Sequence, residues 1–99
     1  MAYKLIWSPL SRDDLHDIVR FISCDSPKRA ESFAYRLIQQ TDKLQEHPEI
    51  GRGVPEHRNT LIREIIFKPY RIVYRLDQSN KTVEIIRVWH AARGTPAMD

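Results

Sequence analysis

The dipeptide Ser-Pro occurs twice, at Ser8-Pro9 and Ser26-Pro27, and each copy opens a stretch with apolar residues spaced three or four apart. Proline suits the first position of a helix, where its missing N–H costs nothing, and a preceding serine caps the exposed amides. After the first signal come Leu15, Ile18, Val19 and Ile22, and after the second a longer stripe of Ala30, Phe33, Ala34, Leu37, Ile38, Thr41 and Leu44. Both follow the period of an amphipathic helix. Asp13, Asp14 and Asp17 lie in or near the early turns of the first helix, where the helix dipole favours anions. The first helix is expected to stop near Ser23 to Asp25, and the second at His47-Pro48, since the residue before a proline resists helical backbone. Two such helices with a short join make a hairpin, and each apolar stripe needs a surface to cover.

That surface is predicted from the rest of the chain. Tyr3 to Trp7 is a short β-prone run stopped by Ser8-Pro9, and from Leu61 the apolar period falls from the helical spacing to alternation. The runs LIREIIF, PYRIVYRLD and TVEIIRVWHA read as three strands. In the second, Tyr70, Ile72, Tyr74 and Leu76 share one face, and Arg71, Val73 and Arg75 share the other. In the third, strict alternation places Ile86, Val88 and His90 on one face and Val83, Ile85, Arg87 and Trp89 on the opposite one. Large apolar groups on both faces mark it as an interior strand. The segment EIGRGVPEHRNT is predicted as a long polar loop, with turns at Gly51 and Gly53, a stiff Pro55 and a turn-prone Asn59. Connections of this kind often carry function. The expected architecture is α+β, in the order β-α-α-β-β-β. The helical hairpin packs on one face of a small, mainly antiparallel sheet, with the first strand beside the last. With 99 residues, there is no room for two cores, so residues 1–99 are expected to form one domain.

Several function classes are excluded. No apolar run reaches the roughly 18–20 residues of a membrane helix, and MAYKLIWSPL has no signal-peptide layout; the expectation is a cytoplasmic protein with no membrane partner. Cys24 stands alone, which rules out an internal disulfide and a thiolate metal cluster. His16, His47, His57 and His90 lack paired metal-ligand spacing, so neither metal nor other cofactor is expected. The charge is uneven: nine Lys/Arg balance nine Asp/Glu up to residue 60, while seven oppose four from Leu61 on. All the net charge of +3 lies in the last two-fifths, which suggests nucleic acid or an acidic protein segment as partner.

The strand ends carry the candidate chemistry. An antiparallel meander brings Arg71 roughly level with residues 87 to 88, so Arg71 and His90 can approach one another, and Glu56 can reach the same end from its loop. That proximity depends on register, which a slip of one residue inverts. A glutamate, an arginine and a histidine together suit RNA cleavage, as base, phosphorane stabiliser and proton donor. The structural alternative is that Arg71 and Arg75 are strand-face cations that pair with Glu64 or Glu84. His90 is then a hydrogen-bonded terminal residue, and Trp7 and Trp89 pack rather than stack bases.

Taken together, the element order, the GRGVPE loop, LIREIIFKPYRIVYRLD and VEIIRVWHAAR resemble the RelE/ParE superfamily, bacterial toxins of type II toxin–antitoxin modules, also called plasmid stabilisation systems. The likeness runs from the first strand to Arg93, and within the superfamily it is greatest to the ParE branch. The resemblance implies a toxin that inhibits DNA gyrase by binding and is not an enzyme. Its implied target-binding residues are Arg71, Arg75, Arg87, Trp89, His90 and Arg93, with Arg87, His90 and Arg93 forming the basic RVxHxxR run associated with toxicity. It also implies a cognate ParD-like antitoxin, whose disordered C-terminal segment wraps the toxin and folds on binding. The alternative is a RelE-like, ribosome-dependent mRNA interferase, a metal-independent endoribonuclease. Its catalytic glutamate, arginine and histidine would be Glu56 in GRGVPE, Arg71 in YRIVY and His90 in VWHA. Ala91 stands where that subgroup has an aromatic residue.

Overall fold

A computed structural model describes residues 2–54 and 61–94. Strand β1 (Lys4–Trp7) leads into helices α1 (Pro9–Asp25) and α2 (Pro27–Asp42), followed by a 3₁₀ turn (Lys43–Gln45). Then come β2 (Arg52–Gly53), β3 (Ile62–Phe67), β4 (Tyr70–Asp77), β5 (Thr82–His90) and a second 3₁₀ turn (Ala91–Arg93). The five strands form one sheet in the order β1-β5-β4-β3-β2. Strand β1 runs parallel to β5, and the other neighbours are antiparallel. The α+β architecture, the meander and the interior place of β5 are therefore as the sequence predicts.

Both Ser-Pro signals work as caps. Ser8 Oγ accepts from the Ser11 amide, and Ser26 Oγ accepts from the Arg29 amide. Ser8 also ties its helix to the sheet, because its amide donates to the Ile85 carbonyl and its hydroxyl donates to the Ile86 carbonyl. Phe33, Leu37 and Leu44 bury against Ile72, Tyr74, Leu76, Val83, Ile85 and Val88, and the α1 stripe Leu15, Ile18, Val19 and Ile22 packs on the same cluster. The second helix ends at Asp42, earlier than the His47-Pro48 boundary expected, and its last apolar residue, Leu44, is buried from the 3₁₀ turn instead. Among the described residues, no helix is long and apolar enough to cross a membrane.

Two expectations are corrected. The first concerns β5. Val73 lies opposite Arg87, but Tyr74 lies opposite Ile85, so Ile86 is an extra residue on β5. Such a bulge shifts the alternation by one position. Val83, Ile85, Val88 and His90 thus share the helix-covered face, while Arg87 and Trp89 lie on the opposite, open face. Ile86 packs there too, in a small second cluster with Val54, Ile62 and Val73.

The second correction is that the expected loop holds a short strand. Arg52 and Gly53 pair with Glu64 and Arg63. This edge is pinned by Tyr74, which is fully buried. Its hydroxyl donates to the Pro48 carbonyl at 2.7 Å and accepts from the Gly51 amide at 3.0 Å. A Cβ on Gly51 would lie 2.8 Å from the Glu64 carbonyl oxygen and 2.5 Å from the Tyr74 hydroxyl, so only glycine fits. Glu56, Pro55 and Asn59 lie outside the described residues.

Tyr74→Phe strands both partners of that hydroxyl and is expected to cost about 1–3 kcal/mol of stability in denaturant unfolding at neutral pH. Burial pushes the Tyr74 phenol above its ordinary value of 10.0. Its stabilisation is therefore complete below about pH 10 and is lost as pH rises through the raised folded value. Melting temperatures are expected to fall above that pH, less steeply in Tyr74→Phe. Tyr70, also raised by burial, keeps part of the slope.

Candidate functional site

The open face near the end of β5 gathers charged and aromatic side chains from four strands and a helix. At its centre is Glu64 of β3, only 1 % exposed. A buried carboxylate is costly unless both oxygens are paired. Here Arg71 Nε donates to Oε1 at 2.6 Å and Arg52 Nε donates to Oε2 at 2.7 Å, both charge-assisted bonds. Arg71 itself is nearly buried, with its side chain 8 % exposed. It sits directly opposite Trp89 on β5.

Both residues reach the same carbonyl. Trp89 Nε1 donates to Gly94 O at 3.0 Å, and Arg71 Nη1 approaches it at 3.4 Å. The chain leaving β5 is thereby folded back onto the sheet by the Ala91–Arg93 turn, with Gly94 at positive φ. That fold brings Arg93 over the Trp89 ring, its guanidinium 4.4 Å from the ring centroid, and Arg87 lies 4.7 Å from the same ring. Two cations on one indole satisfy the geometry of cation–π attraction.

Arg87 has a second attachment. Asp14, one turn into α1, accepts from Arg87 Nε at 2.8 Å and Nη2 at 2.9 Å, and also from the Val88 amide at 3.0 Å. The hydrogen bond to Asp14 holds the Arg87 guanidinium above its ordinary pKa. Further along the open face, Arg75 pairs with Glu84 at 2.6 Å across β4 and β5.

His90 stands apart from this group. The Ile86 bulge leaves it on the helix-covered face, where its ring meets Tyr70 edge-on at 5.2 Å. Its Nδ1 accepts from the Ala92 amide at 3.1 Å, so the imidazole caps the terminal turn.

The site residues predicted from the sequence thus divide. Arg71, Arg87, Trp89 and Arg93 come together around the Trp89 ring and Gly94. Arg75 belongs to a separate cross-strand pair. His90 lies on the other side of the sheet from Arg71, which corrects the expectation that the two approach one another. Glu56 is outside the described residues. Sequence reasoning anticipated that Arg71 and Arg75 can pair with Glu64 and Glu84. It missed the roles of Asp14, Arg52 and the Gly94 carbonyl. Asp14 looked like an ordinary acid of the early helical turns, and nothing local signals a partner 73 positions away. Among the described residues, no group of three or more His, Cys, Asp or Glu side chains converges to hold a metal ion.

Residues 5–94 match the family model of the ParE toxin of the type II toxin–antitoxin system parDE. The chain is 34% identical over 90 residues to the toxin RelE2 of Caulobacter vibrioides, an alignment that covers 91% of this chain and 97% of that protein. Among solved structures it resembles the chromosomal ParDE system from P. aeruginosa, with a TM-score of 0.72 and 21% identity, covering 90% of this chain and 96% of that one. It also resembles the RelBE2 toxin–antitoxin complex from Mycobacterium tuberculosis, with a TM-score of 0.66 and 23% identity over 91% of this chain and 99% of that one. A third likeness is to a double mutant of E. coli toxin RelE in the free state, with a TM-score of 0.64 and 21% identity over 95% and 88% of the two chains. At these identities the structural likenesses speak to the fold.

Proposed function

The chain belongs to the ParE toxins of type II toxin–antitoxin systems, within the RelE/ParE superfamily, and from that premise we propose that it inhibits DNA gyrase by binding and does not cleave RNA. The observation that carries this reading is the bulge at Ile86, which separates His90 from Arg71 across the sheet. General acid–base cleavage needs its proton donor and its charge stabiliser within reach of one phosphodiester. Arg71 is instead spent on buried Glu64 and the Gly94 carbonyl, and His90 on the cap of the terminal turn. What the open face offers is an indole flanked by arginines. Trp and Arg are the side chains that most often dominate binding interfaces.

The same surface suits an antitoxin. A cognate, ParD-like partner with an acidic, apolar-studded C-terminal segment would meet the net-positive C-terminal region and fold on binding. The solved ParDE and RelBE2 systems support such an assembly by likeness of fold. The alternative function, a RelE-like mRNA interferase with Glu56, Arg71 and His90 as catalytic groups, is favoured by the name of the Caulobacter relative.

The test is a pair of assays on the purified chain. Gyrase supercoiling is expected to be blocked, and primer extension on ribosome-bound mRNA is expected to show no new ends. New ends that vanish in His90→Ala, with supercoiling untouched, would establish the interferase reading instead.

A further inference from the structure

We propose that the buried Glu64–Arg71 pair is a positioning device for the C-terminal turn, setting where Arg93 and Trp89 are presented. This rests on the reading above, in which the end of β5 meets the target. The path is short and continuous across three neighbouring strands. Glu64 of β3 holds Arg71 of β4 by its Nε, and a different nitrogen of the same guanidinium, Nη1, reaches the Gly94 carbonyl beyond β5. Trp89 of β5 donates to that carbonyl from the other strand. The Ala91–Arg93 turn is therefore closed by two side chains, one of which is oriented by a carboxylate that never meets solvent. Arg93, exposed and stacked on Trp89, is carried on this closed turn.

A purely stabilising role explains less. Buried ion pairs can often be replaced by apolar residues of similar volume without loss of stability. What an apolar substitute cannot do is aim a guanidinium at a carbonyl two strands away. The planar fork of arginine donates in two directions at once, whereas lysine has a single compact ammonium. Arg71 uses both directions, one toward Glu64 and one toward Gly94. Arg52 completes the arrangement, since it occupies the second oxygen of Glu64 and leaves the first to Arg71.

The test compares Arg71→Lys, the double variant Glu64→Gln/Arg71→Gln and Arg93→Ala in the full-length chain. Arg71→Lys keeps the charge pair and removes the bridge, so cooperative unfolding is retained. The double variant removes both charges and leaves neither buried alone. In both, exchange of the Trp89 indole N–H with solvent, followed by NMR, is expected to speed up about tenfold relative to the parent, because the turn opens locally. Growth inhibition by the expressed chain is expected to fall about as far as it does in Arg93→Ala. Parent-like indole exchange in folded Arg71→Lys would overturn the positioning role. If Arg93→Ala leaves growth inhibition intact, it is the placement of the target site that falls, while the indole exchange still judges the positioning role separately.

Discussion

Replacing Asp14 with alanine is expected to destabilise the fold by about 3–5 kcal/mol, the usual cost of removing one partner from a buried ion pair. Three donors lose their acceptor at once: Arg87 Nε, Arg87 Nη2 and the Val88 amide. The Arg87 side chain is only 10 % exposed, so water cannot readily replace the carboxylate. The amide lies where β5 runs past the end of β1, whose last paired residue is Trp7, opposite Ile85. Beyond that point Asp14 does the work of a neighbouring strand, and α1 is fastened to the sheet edge through it. Asp14→Asn keeps an acceptor for the amide and is expected to lose roughly half as much. Asp14→Ala/Arg87→Met removes both charges and is expected to recover much of the loss. Urea unfolding of the four proteins measures these differences directly. A loss under about 1 kcal/mol in Asp14→Ala would mean that the pair is hydrated and weak, as exposed pairs are.

The same contact shows why some of the site was legible in the sequence and some was not. The helical hairpin could be read because Ser8-Pro9 and Ser26-Pro27 are local signals, and capping and apolar period act within a few residues. The interior place of β5 could be read because both its faces are apolar. The bulge could not. Ile85 and Ile86 are adjacent and equally apolar, so either can be placed inward without violating any pattern, and the choice is made by β4 on one side and Ser8 on the other. Strand β2 is two residues long and has no period to detect. Glu64 and Arg71 were visible as a cross-strand pair, although they sit diagonally: Glu64 is opposite Val73, and Arg71 is opposite Ile66. Asp14 and the Gly94 carbonyl act across the fold, and only the assembled sheet brings them to their partners.

The bulge also decides which substitution separates binding from cleavage. Arg93→Glu is expected to reduce gyrase inhibition and growth inhibition on the order of 100-fold, since an interfacial arginine is lost and a like charge is placed against the same target groups. Its stability is expected to stay near the parent's, because Arg93 is exposed and rests on the Trp89 ring from the solvent side. His90→Ala removes the acceptor for the Ala92 amide and the edge contact with Tyr70, at a cost of about 1 kcal/mol in stability. Its effect on inhibition is expected to be only severalfold, by loosening the turn. A proton-transferring histidine would behave in the opposite way, with a loss of about 10²–10⁴ in rate on removal and much less sensitivity to Arg93. Arg87 is the wrong place to ask the question, although it lies on the same ring. Reversing its charge sets a carboxylate against Asp14 and damages the fold before the target is reached. Dose–response curves for Arg93→Glu and His90→Ala, each corrected for its own measured stability, therefore carry the decision. A crippled His90→Ala beside a tolerant Arg93→Glu would place the chemistry on the helix-covered face and refute binding by the open one.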